Sequence, residues 1–264
     1  MTSLRIGLSQ LALEKGKPQD NLVRVKSSLM QAASQGMELV LQPELWASGY
    51  DLKNVRRYAQ PRSGGFFQEL KTSAEELGIW VGGSLLEEDQ GVYYNTHYLY
   101  GPDREVYYRK VHLFGLLEEE KYLSAGSHLV VTEVKGVRTG LATCYDLRFP
   151  EMFRAYALAG VKLVLLVAEW PEERIDHWWK LLQARAIENQ YFLAAVNKTG
   201  DHDGIPLGGK SAVINPRGEP VQSGAREVGV IPAEIDLAEV DQARRWIPVL
   251  EDRNPGAYQD IQVV

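Results

Sequence analysis

Apolar residues along this chain recur with two different periods, and the switches between them mark out alternating strands and helices. Leu4 to Leu8 is a short apolar run. From Leu22, the positions Leu22, Val25, Leu29, Ala32 and Ala33 fall on one helical face, and Gly36 ends that helix. Glu38-Leu-Val-Leu-Gln42 then reads as a buried strand, broken at Pro43. A second helix is predicted from about Gly65 to Leu77, closed by Gly78. β-rich sequence follows: Ile79 to Leu85, Gly91 to Tyr100, a turn at Gly101-Pro-Asp-Arg104, and Glu105 to Arg109, the last two strands forming a hairpin.

The second half repeats this order of elements with different residues. A strand from Val137 ends at Cys144, a helix runs from Pro150 to Ala159 and stops at Gly160, and a strand covers Val161 to Val167. A long helix around Glu173 to Asn189 leads to a strand at Tyr191 to Val196 and a hairpin on Ile214-Asn-Pro-Arg-Gly-Glu-Pro220. A strand from Val228 to Ile235 and a short helix, Leu237 to Arg245, precede an irregular tail. No Pro/Ser-rich linker divides the halves. The expectation is one domain over residues 1–264, two layered sheets with helices outside, and a tail from about 246 that is extended or sits at an oligomer contact.

Charge narrows the partners. With 29 basic against 35 acidic side chains the net charge is −6, and the basic residues are scattered, which excludes nucleic acid and anionic membrane as expected partners. No apolar run reaches bilayer length; the longest, Val161 to Ala168, is interrupted by Lys162. Met-Thr-Ser-Leu-Arg-Ile-Gly-Leu does not read as a signal peptide, so a reducing cytoplasm is the expected compartment. A free thiol survives there, and the chain has one cysteine, Cys144.

Cys144 closes an apolar strand and is followed by Tyr145-Asp-Leu-Arg-Phe-Pro150-Glu. Proline and a carboxylate are what a first helical turn looks like, and a sulfur just ahead of a helix N-terminus is placed to become a thiolate. Three acidic or basic residues are also candidates: Glu44 after a strand and a proline, Lys110 at a strand end, and Glu119 in a run of three glutamates. Taken singly, each has an ordinary reading. Glu44 would be a solvated loop carboxylate, Lys110 a solubilising edge residue, Glu119 part of a solvated surface, and Cys144 a small buried hydrophobe.

In chain order the same residues resemble the nitrilase superfamily of carbon–nitrogen hydrolases. The matching pieces are Gln42-Pro-Glu44, Arg109-Lys110-Val-His-Leu-Phe114, Thr143-Cys144-Tyr-Asp-Leu-Arg-Phe-Pro150-Glu and Gln183-Ala-Arg-Ala-Ile-Glu-Asn-Gln190. The resemblance implies a four-layer αββα sandwich and a Glu-Lys-Cys triad of Glu44, Lys110 and Cys144. It also implies a second glutamate, which Tyr122 and Gly126 align with Glu119, Glu118 and Glu120 being the neighbouring registers. Thiol attack on an amide followed by thioester hydrolysis replaces one hard step with two easier ones and requires no redox cofactor or metal. Glu44 would shuttle the protons, while Lys110 and the Tyr145 backbone N–H would stabilise the oxyanion. Lys110 and the helix start lower the thiol pKa while an ionised Glu44 raises it, and sequence alone does not rank them.

Within the superfamily the ω-amidase branch is most similar, which implies hydrolysis of 2-oxo-dicarboxylate monoamides such as 2-oxoglutaramate and 2-oxosuccinamate. Members of that branch from bacteria carry Asn before the Trp-Pro pair, so Glu169 departs from the pattern. A carboxylate there would repel a dicarboxylate-like substrate unless paired, for instance with Arg148 or Arg174. Tyr145 and Trp170 are the expected pocket walls, with plain core packing the other reading of Trp170. The five histidines lack metal-ligand spacing, and His112 and His177 read as hydrogen-bonding structural residues. The alternatives are a general aliphatic amidase, an N-carbamoyl hydrolase, a catalytically silent scaffold, or a papain-like thiol hydrolase using His112, His177 or His202. The resemblance also implies a homodimer or larger homo-oligomer.

Overall fold

The computed structural model describes residues 3–102 and 104–258. In chain order its elements are β1 (Ser3–Gln10), α1 (Pro18–Ser34), β2 (Leu39–Leu41), α2 (Val55–Tyr58), α3 (Gly65–Leu77), β3 (Trp80–Asp89), β4 (Val92–Tyr100) and β5 (Glu105–Arg109). The second half holds β6 (Val131–Val134), β7 (Val137–Thr143), α4 (Pro150–Leu158), β8 (Leu163–Ala168), α5 (Ile175–Asn189), β9 (Phe192–Asn197), β10 (Thr199–His202), β11 (Ile205–Gly208), β12 (Ala212–Ile214), β13 (Pro220–Ser223), β14 (Gly229–Asp236) and α6 (Ala238–Trp246).

Two six-stranded mixed sheets result, ordered β14-β1-β2-β3-β4-β5 and β13-β12-β9-β8-β7-β6. In each, three central strands run parallel, β1-β2-β3 in one and β7-β8-β9 in the other, and antiparallel strands flank them. Alternation along the strands explains the layering. Leu39 and Leu41 of β2 belong with Leu141 and Leu165 to the core between the sheets, whereas Val40 points the other way, into a second cluster with Val25 and Leu29 of α1 and Phe67 and Leu70 of α3. On the far sheet, Phe153 of α4 and Leu182 of α5 close the opposite side of the sheet core. This is the αββα sandwich expected from the sequence.

Helix ends follow local chemistry. Pro18 and Pro150 occupy the first turns of α1 and α4, where a missing N–H costs nothing, and Gly78 ends α3 at φ +65°. Three features lie outside what the periodicity predicts. The edge strand β6 is mostly solvated, and the hairpin β10–β11 turns at Asp203-Gly204 within polar sequence, so neither carries an apolar alternation. The four-residue α2 is too short to show a period. Residue 103 of the predicted Gly101–Arg104 turn lies outside the described residues, as do residues 1–2 of the N-terminal reading and 259–264 of the tail. The tail's described part ends in an exposed turn, Pro255–Tyr258. Among the described residues no helix is long and apolar enough to cross a membrane.

Candidate active site

Strand ends deliver the candidate residues to one edge of the sandwich. Glu44 follows β2, Lys110 follows β5, Cys144 follows β7, and Glu169 follows β8. The main chain around them is tied down across the sheets. Gln42 N donates to Gly82 O (2.7 Å), Lys110 N to Asn95 O (2.9 Å), and Gly126 N to Lys110 O (2.8 Å).

Lys110 is the centre of a buried ion cluster. Its Nζ donates to Glu44 Oε1 at 3.0 Å and to Glu119 Oε1 at 2.8 Å, and all three side chains are sealed from solvent. Charges this deep persist only when paired and hydrogen-bonded. The remaining lone pairs are filled accordingly: Asn95 Nδ2 donates to Glu44 Oε1 (2.7 Å), Glu169 N to Glu44 Oε2 (3.1 Å), and Phe114 N to Glu119 Oε2 (2.8 Å). Tyr50 Oη also donates to Glu119. Of the three consecutive glutamates Glu119 alone is buried; Glu118 and Glu120 face solvent, and Glu118 pairs with Lys121.

Cys144 sits against this cluster with φ +45°, in the left-handed region, opening a 3₁₀ turn over Cys144–Arg148. The carboxylate of Asp146 holds that turn, accepting from Thr143 N (2.8 Å), Tyr108 Oη (2.7 Å) and His112 N (3.1 Å). The thiol lies 3.8 Å from the carbonyl oxygen of Glu169. One expectation is corrected here: the strand ends at Thr143 rather than Cys144, and a 3₁₀ turn separates the sulfur from the helix, which starts at Pro150 as expected. Burial, seconded by the nearby Glu44 carboxylate, pushes the thiol well above its ordinary pKa despite Lys110, so the resting sulfur is protonated. Burial also lifts Glu44 to about 7, Lys110 opposing and Glu119 reinforcing the shift.

A cavity of about 60 Å³ opens over Cys144, walled by Tyr50, Phe114, Tyr145, Trp170, His202 and Leu207. Both predicted wall residues line it. Trp170 also does core duty: its indole N–H donates to Arg174 O (2.8 Å) and its ring lies 5.5 Å from that of Trp178. Glu169 lines the cavity too, but its partners are not Arg148 or Arg174. Lys198 Nζ lies 3.1 Å and His202 Nδ1 3.0 Å from its carboxylate, because β9 and β10 bring them alongside β8. Burial alone would raise Glu169; Lys198 and His202 instead hold it below the usual carboxylate range. His112 binds Asp146 and stacks on Phe149, and His177 faces Arg148, both as structural residues. Among the described residues no cluster of His, Cys, Asp and Glu is placed to hold a metal ion.

Residues 5–245 match the sequence profile of the family described as Carbon-nitrogen hydrolase. The chain belongs to that family. Among its relatives as a carbon–nitrogen hydrolase are the 2-oxoglutaramate amidase of Bacillus subtilis (strain 168), 39% identical over 96% of this chain and 98% of the relative, and an omega-amidase of Homo sapiens, 34% identical over 98% of each. Its fold is that of a CN-hydrolase superfamily protein from Xanthomonas campestris with an arsenic adduct in the active site, with a TM-score of 0.91, 32% identity and all of both chains covered. A mutant amidase from Nesterenkonia sp. AN1 (TM-score 0.87, 28% identity, 98% and 97% covered) carries the acetamide moiety of fluoroacetamide covalently added at its active-site cysteine. The present carbon–nitrogen hydrolase is therefore an enzyme of amidase type.

Among the members of its site that escaped the sequence reading are Tyr50, Asn95, Asp146 and Lys198. Tyr50 and Asn95 hydrogen-bond the two carboxylates, and Asp146 organises the Cys144 turn. Asp146 was within reach of sequence, as Thr143 and Asp146 have capping-box spacing. Nothing local marks Tyr50 or Asn95, whose partners lie 69 and 51 positions away.

Proposed function

We propose that this enzyme hydrolyses the terminal amide of 2-oxo-dicarboxylate monoamides such as 2-oxoglutaramate, releasing ammonia, through a thioester on Cys144. The observation that carries the chemistry is a single buried ammonium, Lys110, bridging two carboxylates beside the only thiol. Glu44 takes the proton of the thiol as sulfur attacks the amide carbon. The oxyanion so formed is met by Lys110 and the Tyr145 backbone N–H, each such donor being worth about 3–4 kcal/mol. The C–N bond then breaks, and Glu44 returns its proton to nitrogen as ammonia departs. Water, deprotonated by Glu44, attacks the thioester, and the carboxylic acid leaves as the thiol is restored. Glu119 holds Lys110 in place. His202 is engaged by Glu169, which supports a glutamate rather than a histidine base.

The substrate reading rests on relatives that are a 2-oxoglutaramate amidase and an omega-amidase. A simpler aliphatic amidase is the second reading, favoured by a similar Nesterenkonia amidase solved in complex with butyramide. Ammonia release from 2-oxoglutaramate, glutaramate, butyramide and N-carbamoyl-β-alanine separates these, with Cys144→Ala as the inactive control. Turnover of 2-oxoglutaramate with the highest kcat/KM is expected; turnover of none, with an unreactive thiol, refutes the proposal. We further place the enzyme in the cytoplasm, as one domain that assembles into a homodimer or larger homo-oligomer. Exposed Leu158, Ile187 and Trp246 on α4, α5 and α6 support the assembly. Light scattering on the purified enzyme tests it.

A further inference from the structure

We infer that Arg148 and Arg174 form an anion clamp on the rim of the cavity, selecting amides whose far end carries a carboxylate; this rests on the amide-hydrolase reading above.

Most charges around the cavity are already neutralised by the protein's own groups. Glu169, Arg148, Arg174 and His202 all line it with Cys144. Glu169 is answered by Lys198 and His202, so the one carboxylate in the wall is already spent on the protein's own cations. Below, Lys110 is shared by Glu44 and Glu119. The arginines differ. Among the described residues no carboxylate lies within ion-pair distance of Arg148; its contacts are the Trp170 ring, 4.7 Å from the guanidinium carbon, and His177 Nδ1 at 3.5 Å from Nη1. Arg174 has only its neighbour Glu173, 3.6 Å away with a side chain 79% exposed, and lies 5.7 Å from the Phe114 ring centre.

Two half-buried cations therefore border one small cavity whose one wall carboxylate, Glu169, is paired with other cations. Each rests against an aromatic ring, and a guanidinium packed on a ring keeps in-plane N–H donors for a second partner. A carboxylate fits a fork of such donors. The mutual repulsion of Arg148 and Arg174 is relieved when an anion enters between them, so the clamp adds affinity only for a substrate that brings the charge. An uncharged amide of the same length fills the aromatic walls without that gain.

The test uses paired amides of similar length, anionic glutaramate and neutral valeramide, with wild type, Arg148→Gln, Arg174→Gln and the double variant. The expected result is a fall of about 10- to 100-fold in kcat/KM for glutaramate, mainly through KM, in the double variant, with valeramide changed less than about threefold. The valeramide kcat is the internal check on folding. Equal losses on both amides, or none on glutaramate, overturn the clamp. Glutarate titrated calorimetrically into the Cys144→Ala enzyme reads the clamp without turnover. It should bind, and bind at least tenfold more weakly once both arginines are replaced; absent or unchanged binding overturns the inference. Should wild type hydrolyse neither amide while glutarate binding depends on the arginines, the amidase reading fails and the clamp stands.

Discussion

Cys144 is a non-glycine residue at φ +45°, a conformation that costs of order 1–3 kcal/mol and persists only where the surroundings over-determine it. Here the Asp146 carboxylate does so, through Thr143 N, Tyr108 Oη and His112 N. The turn sets the sulfur 3.8 Å from Glu169 O and beside the Glu44 carboxylate. Acid–base chemistry then follows from burial. The Glu44 carboxyl is raised to about 7, so below that pH the base form becomes the minority species. Activity is accordingly expected to fall as pH drops, with an apparent pKa near 7 in kcat/KM that belongs to the Glu44–Cys144 pair. Glu44→Gln should lower kcat/KM by about 100- to 10,000-fold. An acid limb at the ordinary carboxylate value, in a pH–rate profile of wild type, would contradict this assignment.

Strands rather than loops set the spacing of the site. Glu44, Lys110, Cys144 and Glu169 each stand one to three residues past a strand end, so the register of two sheets fixes their separations. Gly126 shows how tight one of these placements is. Its N–H donates to Lys110 O, and a Cβ there would come within 2.1 Å of Arg109 O, a main-chain atom that cannot swing aside. Gly126→Ala is therefore expected to shift the end of β5 and Lys110 with it, lowering kcat at least about tenfold and depressing the melting temperature by several degrees. Unchanged kinetics and melting would show that the segment yields freely. The elements predicted from apolar periodicity lie within a few residues of those observed, because each buries one face against a neighbour. The hairpin β10–β11 was illegible for the opposite reason: it buries little, yet carries His202 to Glu169.

The two sheets stack with the strand ends that carry Glu44, Lys110 and Cys144 on a common edge, and hydrogen bonds cross the interface as well as apolar contacts. His97 Nδ1 of β4 lies 3.1 Å from Ala142 O of β7, and Gln10 Oε1 accepts from Ser211 N at 3.0 Å. Burial depresses His97 to about 4, so the folded protein keeps it neutral where an unfolded chain, near 6.5, would protonate it. Between those values the unfolded state binds the additional proton, and stability rises with pH. The contribution is fully present above about 6.5 and is lost as pH falls toward 4. Melting temperature is expected to decline over that window, with a shallower slope in His97→Gln; identical slopes would remove His97 from the account.

By itself the sequence determined the elements, and its resemblance to a family implied the αββα class and named Glu44, Lys110 and Cys144 as candidates. Periodicity, caps and short motifs are local properties that survive reading one stretch at a time. Only the tertiary structure decided what those residues share. Lys110 meets Glu44 from 66 positions away and Glu169 finds Lys198 rather than an arginine, since partners are chosen by strand order and register. The protonated resting thiol was decided there too, because ionisation depends on how completely water is excluded and on which charges stand nearby, and neither is written in any single segment of chain.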